Sequence, residues 1–217
     1  MDYNIEGALL SRQYVESNKL NQTPQKSDSK DKLFDIWDNV FVDGTDLHTK
    51  YSRSNFYGPV LFRLKLELLL SPFLSTIFVT KNNPIYWTSS SSLNSGYYSC
   101  IEDIHTDYLT GRRIDSSIMF TFRSSNNKIG LRKYLHSIII DKPYCNVRTR
   151  NGLITTAGDY CNQKIRDSLQ MNGLGEITIH QRHKNVESCS CYKDYIQLYN
   201  LDKEEFKKRF NYQKLIL

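Results

Sequence analysis

The sequence predicts an α+β fold with a mixed, largely antiparallel sheet and flanking helices. Short runs of alternating apolar and polar residues indicate strands through the middle of the chain. Apolar residues at helical spacing indicate helices towards the C-terminus, and the strands do not alternate regularly with helices. With 217 residues and no visible internal repeat, the chain has the length of one domain.

The N-terminal segment is predicted to be an arm. Residues 1–17 carry apolar side chains at the spacing of a short amphipathic helix, whereas residues 18–32 contain almost none and are typical of a flexible linker. We therefore assign residues 1–32 to a helical arm with its linker, and residues 33–217 to a single α+β catalytic domain.

Strands are predicted where apolar residues alternate with polar ones or where β-branched residues cluster. The clearest alternation is FRLKLEL, in which Phe62, Leu64, Leu66 and Leu68 share one face. The predicted strands are 62–68, 76–81, 85–88, 117–123, 137–141 and 176–182.

Two helices are predicted near the C-terminus. In residues 157–171 apolar side chains recur at helical spacing, and Gly173 follows as an end signal. Residues 202–210 begin with Asp202 three positions before Glu205, the spacing of a capping box.

The charge and the composition of the chain indicate which kinds of partner it binds and in which cellular compartment it is expected. The net charge of +6, from 29 Lys and Arg against 23 Asp and Glu, favours phosphate-bearing partners such as nucleic acid or a dinucleotide. No stretch approaches the roughly 20 apolar residues that span a bilayer, and the first residues lack a signal-peptide pattern. We expect a cytoplasmic protein without membrane association. Its five cysteines are expected to be reduced, with Cys100, Cys145 and Cys161 in the core.

The segment 173–191 concentrates chemically active side chains. Glu176 opens a predicted strand, and alternation places it on one face with Thr178, His180 and Arg182. A carboxylate at the head of a strand can bind a ribose hydroxyl. It can also stabilise the cationic sugar that forms when nicotinamide leaves NAD, as carboxylates do in glycoside hydrolysis.

Two parts of the chain resemble the ADP-ribosyltransferase superfamily, especially its small bacterial toxin and phage-defence members. Glu176-Ile177-Thr178-Ile179 resembles the late strand that opens with the catalytic glutamate of that family. The segment from Leu47 to Ser54, followed by Tyr57-Gly58 and a strand, resembles the segment that holds NAD. The resemblance covers roughly residues 45–68 and 173–182.

The resemblance implies an ADP-ribosyltransferase-like sheet, NAD as a substrate, and a catalytic role for Glu176, with Glu102 as the alternative. Leu174 stands where the arginine-modifying class carries Glu or Gln, so the resemblance disfavours arginine as the acceptor and leaves a nucleic-acid base or another side chain. The basic charge balance of the chain then favours nucleic acid. The tethered arm would allow an antitoxin or a chaperone to bind. The implied NAD-binding residues are Arg53, Ser54, Tyr57 and His48, with Arg63 as the alternative to Arg53.

Metal binding is the alternative chemistry for the segment 173–191. His180, His183, Cys189 and Cys191 are zinc-ligand types. Residues three apart on a regular strand point to opposite faces, so the two histidines converge only if the strand ends or bulges. We therefore predict no metal site, and keep a nucleic-acid-binding module with a structural zinc as an alternative.

A metal-free ribonuclease is a second possible function. Metal-free RNA cleavage needs a base, an acid and a phosphate-binding cation. The candidate acid–base groups are His48, His105, His136, His180 and Glu102.

A nucleic-acid-binding module is a third possible function. Residues 126–150 carry six Lys and Arg against Asp141 alone, interleaved with Tyr134 and Tyr144, a pattern that suits a nucleic-acid backbone. The basic residues are Lys128, Arg132, Lys133, Lys142, Arg148 and Arg150.

Overall fold

A computed structural model describes residues 7–20, 28–52, 54, 58–88, 93–110, 118–149, 151–182, 189–210 and 215–216. The chain divides into two compact units. Unit 1 consists of Met1–Ala8, His48–Leu68 and Gly130–Leu217, and unit 2 of Leu9–Leu47 and Leu69–Ile129.

The elements confirm the predicted α+β class. In chain order they are β1 (Ala8–Leu10), α1 (Arg12–Ser17), α2 (Asp28–Leu33), β2 (Val40–Asp43), β3 (Val60–Leu64), β4 (Leu74–Val79), α3 (Leu93–Gly96), α4 (Ile101–Leu109), β5 (Met119–Ser124), β6 (Lys128–Gly130), β7 (Leu135–Ile140), β8 (Asn146–Thr149), β9 (Ile154–Thr156), α5 (Ala157–Met171), β10 (Thr178–Gln181), α6 (Cys191–Leu201), α7 (Lys203–Arg209) and β11 (Leu215–Ile216). Short 3-10 helices cover Leu47–Thr49, Leu66–Leu70 and Pro84–Tyr86.

Two three-stranded sheets form the β-structure of unit 1. One has the order β10-β7-β3, with β10 parallel and β3 antiparallel to β7. The other has the order β11-β8-β9 and is antiparallel. β7 is the central strand of the first sheet, and its residues Leu135, Ile138 and Ile140 are fully buried.

Helices α5, α6 and α7 complete the core of unit 1. α5 has the predicted bounds, and its side chains Cys161, Ile165 and Leu169 are at most 2% exposed. Its first turn is capped by Thr156, whose hydroxyl accepts a hydrogen bond from the Asp159 N–H at 3.1 Å. The rings of Tyr195, Phe206 and Phe210 pack on one another between α6 and the end of α7.

Unit 2 is built on the antiparallel sheet β2-β5-β4. Its core contains a hydrophobic cluster of Phe34, Ile36, Trp87 and Tyr97, against which Phe41 and Phe78 also pack. Most of β1 and β6 also lies in this unit, where the two strands pair.

Several element boundaries differ from the prediction. The alternation of residues 62–68 continues past the strand, because β3 ends at Leu64 and a 3-10 helix follows. The predicted strand 85–88 is wrong: Asn83 caps a 3-10 helix that begins with Pro84. α2 begins inside the segment that the sequence assigns to a linker, and β10 starts two residues after Glu176.

No helix among the described residues is long and apolar enough to cross a membrane. Of the three cysteines predicted in the core, Cys145 and Cys161 are buried, whereas Cys100 is exposed just before α4. That prediction is therefore wrong for Cys100.

Candidate functional site

A groove of about 470 Å³ lies in unit 1, where β3 ends and β7 begins. Its polar side chains come from β3, from β7, from Lys65 just after β3 and from the 3-10 helix that follows. The lining residues are Arg63, Leu64, Lys65, Leu66, Glu67 and His136.

A β-bulge presents His136 to this groove. Arg63 pairs with Ser137, but the next pair along the ladder is Leu64 with Leu135, so His136 is an extra residue on β7. Bulges of this kind re-aim side chains and occur preferentially beside active sites. The His136 side chain is exposed, and its Nδ1 lies 3.1 Å from the hydroxyl of Ser137.

The turn after β3 brings two further charges to the groove. The Lys65 N–H donates to the carbonyl of Tyr134 at 2.7 Å, and the Leu68 N–H donates to the carbonyl of Lys65 at 3.1 Å. Leu68 is only 3% exposed and anchors the 3-10 helix, whereas Lys65 and Glu67 face solvent. The turn therefore has a buried anchor and charged side chains on its outer side.

The groove has an excess of positive charge. Arg63 and Lys65 outnumber Glu67, and none of these three forms an ion pair with another described residue. Arg132 and Lys133 are also exposed and directly precede the Tyr134 carbonyl that binds Lys65. An anionic ligand would thus meet a net positive groove whose cations form no ion pair with a described carboxylate.

Glu176 lies in the turn before β10, the strand that pairs with β7 in the sheet of the groove. The Glu176 side chain is exposed. Thr178, the first residue of β10, pairs with Ser137 on β7. Ser137 in turn pairs with Arg63 on β3. Residues in register share one face of a sheet, so Arg63 and Thr178 lie on one face, two strand spacings apart. That separation is about 9–10 Å.

The predicted common face of Glu176, Thr178, His180 and Arg182 is only partly correct. Thr178 and His180 are exposed on β10, but Arg182 follows the strand and is 4% exposed. Its guanidinium is held by Asp141 in the interior. Strand alternation therefore stops before Arg182, because β10 ends at Gln181.

The predicted NAD-binding residues are placed only in part. Arg53 and Tyr57 lie outside the described residues, and Ser54 is half-buried. His48 lies on the 3-10 helix Leu47–Thr49. His48 is also brought together with two cysteines from the other end of the sequence.

Glu102 and His105 lie on α4, in unit 2, and both are exposed. A hydrogen bond from its own backbone N–H, and then one from the Cys100 thiol, lowers the pKa of Glu102. This carboxylate therefore stays ionised at neutral pH, which does not suit a general acid.

A second cluster of reactive side chains in unit 1 consists of His48, Cys189 and Cys191. Their potential ligand atoms all lie within 4.8 Å of one another. His180, predicted as a ligand in the metal alternative, is exposed on β10, and His183 lies outside the described residues. Local spacing around the cysteines could not reveal His48, because it is distant in sequence.

A buried polar network lies beside this cluster. The Nε of Arg182 donates to Asp141 Oδ1 at 2.9 Å, and the Tyr195 hydroxyl donates to Asp141 Oδ2 at 3.0 Å. Burial raises the pKa of Tyr195 well above its usual value, so its hydroxyl stays protonated and remains a donor. Burial raises the pKa of Asp141 above its usual value, and the charge of Arg182, the Tyr195 hydrogen bond and then the charge of His48 partly oppose this shift.

The basic residues between 126 and 150 do not act as one group. Lys142 pairs with Asp159 at 2.5 Å, and the Lys128 ammonium lies over the Tyr14 ring, 5.6 Å from its centroid. Arg150 lies outside the described residues. The remaining residues, Arg132, Lys133 and Arg148, are exposed.

Comparison with protein-family models, curated proteins and solved structures finds no match for this chain.

Proposed function

We propose that the chain binds RNA in the groove of Arg63, Lys65, Glu67 and His136 and cleaves it without a metal ion. One observation carries this proposal: a carboxylate, an imidazole and two cations line the same groove. Metal-free cleavage of RNA needs a base, an acid and a cation for the phosphate, and this groove supplies all three.

Glu67 is assigned as the base and His136 as the acid. A carboxylate accepts a proton from the ribose 2′-hydroxyl, whose oxygen then forms a bond to the adjacent phosphorus. The bond from phosphorus to the 5′-oxygen breaks, and the imidazolium of His136 gives its proton to that leaving oxygen. The products are a 2′,3′-cyclic phosphate and a 5′-hydroxyl, so atoms and protons balance.

Arg63 and Lys65 are assigned to the phosphate. The planar guanidinium of Arg63 can bind two phosphate oxygens at once, whereas the Lys65 ammonium acts as a compact charge. Both side chains are exposed, and no described carboxylate pairs with either. Negative charge that builds on the phosphorus oxygens during attack would be stabilised by these two cations.

The experiment follows labelled RNA in buffer without added divalent cations. His136→Ala and Glu67→Gln are each expected to slow cleavage by about 100-fold or more, the usual contribution of a positioned acid or base. His180→Ala is the matched control, because it removes another exposed histidine from the same sheet. The proposal is wrong if His136→Ala cleaves RNA as fast as the unaltered chain.

ADP-ribosyl transfer is the second candidate. It is favoured by the register that places Arg63 and Thr178 on one face of the sheet, with Glu176 two residues before Thr178. Incubation with labelled NAD and mixed RNA, DNA and protein separates the two activities. Label that appears in nucleic acid and is lost in Glu176→Gln would support transfer, whereas NAD-independent strand scission supports cleavage.

A further inference from the structure

The cluster of His48, Cys189 and Cys191 has the composition of a zinc site. Thiolate and imidazole are the preferred ligands of Zn²⁺ in proteins. A tetrahedral zinc with bonds of about 2.0–2.3 Å needs ligand atoms about 3.3–3.8 Å apart. The ligand atoms of the three side chains lie within 4.8 Å of one another, so shifts of about 1 Å would complete the geometry.

The fold fixes the start of α6, which carries Cys191 and follows Cys189 by two residues. Cys191 is the first residue of α6 and is fully buried. The next residue, Tyr192, accepts a hydrogen bond at its hydroxyl from the Lys142 N–H at 2.9 Å and donates one to the Arg182 carbonyl at 3.1 Å. These bonds fix the start of α6 at the ends of β7 and β10. A helix N-terminus also favours the negative charge of a thiolate.

The surroundings of His48 suit a ligand. A metal-bound histidine is commonly oriented by a carboxylate close to its ring, and such partners strengthen metal binding. Asp141 is the carboxylate in electrostatic reach of His48. It is itself held by Arg182 and Tyr195, so its position is fixed.

We infer that His48, Cys189 and Cys191 bind one zinc ion that joins the 3-10 helix Leu47–Thr49 to the start of α6. The fourth position of a tetrahedral ion would take water or another ligand. The ion would lie near the Asp141 end of β7, whereas His136 lies near the other end. Five residues of extended chain separate these ends by about 16 Å, so the ion would be too far from His136 to take part in RNA cleavage.

The test measures zinc in the purified full-length chain by elemental analysis, before and after dialysis against zinc. About one zinc per chain is expected, and His48→Ala and Cys189→Ser should each lose most of it. Cys100→Ser is the matched control, because Cys100 is exposed and belongs to unit 2, and it should keep the full content. Both ligand variants change half-buried positions, so a folding failure is less of a concern than at Cys191.

Two further readouts are independent of RNA cleavage. Cobalt in place of zinc should give the thiolate-to-cobalt charge-transfer absorption in the unaltered chain and not in Cys189→Ser. A chelator should lower the melting temperature of the unaltered chain but not that of His48→Ala. A chain that stays zinc-free after dialysis, or ligand variants that keep their zinc, would overturn the inference.

Discussion

Arg182 and Asp141 form an ion pair in the interior of unit 1, with 2.9 Å between Nε and Oδ1 and with each side chain 3% exposed. The pair joins the residue that follows β10 to the residue that follows β7. The Tyr195 hydroxyl supplies a second hydrogen bond to the same carboxylate. The network therefore links the central sheet to α6, which begins with Cys191.

Removal of Arg182 is expected to destabilise the chain strongly. In Arg182→Met, Asp141 loses its ion pair while it stays buried, and breaking a buried pair in this way typically costs about 3–5 kcal/mol. Urea unfolding measures the effect. Arg148→Ala, which removes an exposed arginine, should change the free energy of unfolding by less than about 0.5 kcal/mol. An equal loss of unfolding free energy in the two variants would show that the buried ion pair contributes no more to stability than an exposed arginine.

Gly158 is predicted to tolerate no side chain. A Cβ at this position would lie 2.4 Å from the Cα of Lys142, so the first turn of α5 would have to move away from the chain between β7 and β8. Gly158→Ala should lower the free energy of unfolding by about 1–3 kcal/mol, as overpacking does elsewhere.

Gly130→Ala is the control for this substitution, because a Cβ at Gly130 meets no atom within 4 Å. The melting temperatures of the two variants, measured by thermal unfolding, test this prediction. A Gly158→Ala melting temperature equal to that of Gly130→Ala would contradict the close approach of the two backbone segments.

Asp159 should contribute a small, pH-dependent stabilisation. Hydrogen bonds from the side chains of Lys142 and then Thr156 lower the pKa of Asp159 below its usual value of 3.8. A carboxyl with a lowered folded-state pKa stabilises the fold above its unfolded pKa, and this stabilisation is lost as the pH falls through the folded pKa.

The Asp159 side chain is 51% exposed, so the effect at neutral pH is expected to be below about 1 kcal/mol. The difference in unfolding free energy between the unaltered chain and Asp159→Asn should be present at pH 7 and shrink below about pH 4. A difference in unfolding free energy that grows as the pH falls would contradict this prediction.

Binding of RNA should depend on salt through Arg63 and Lys65. Each phosphate contact on a single strand contributes about 0.7 to the slope of log affinity against log salt. Arg63→Ala and Lys65→Ala should each reduce the slope by about that amount, measured with 2′-O-methyl RNA, which lacks the attacking hydroxyl. Arg148→Ala should leave the slope unchanged. Unchanged slopes in all three variants would exclude the groove as the RNA-binding surface.

Local sequence signals predicted the elements whose own residues determine them. α5 has the predicted bounds because its apolar spacing, its threonine cap and Gly173 all agree. Half of the capping box before α7 is observed: the Glu205 N–H donates to Asp202 at 3.0 Å, whereas the Glu205 carboxylate accepts from Lys208 and Arg209 instead of the Asp202 N–H. The prediction of a strand at residues 85–88 was wrong because a capped proline turn can have the same apolar content as a short strand.

The candidate sites depend on contacts that local spacing does not encode. His136 enters the groove through a bulge between two strands that are far apart in sequence, and no local pattern predicts a bulge there. His48 joins Cys189 and Cys191 only because the fold returns α6 to the early part of the chain. Sequence patterns therefore pointed to His136, Arg63 and the zinc-ligand types, but they did not point to Lys65 or Glu67 and could not show the grouping of either site.

The most direct measurement is the chemical identity of the RNA ends left by the purified chain, without NAD and without added divalent cations. Cleavage by Glu67 and His136 predicts a 2′,3′-cyclic phosphate on one fragment and a 5′-hydroxyl on the other, with both formed about 100-fold more slowly by His136→Ala. Intact RNA, or fragments that carry 5′-phosphates, would contradict the proposed function.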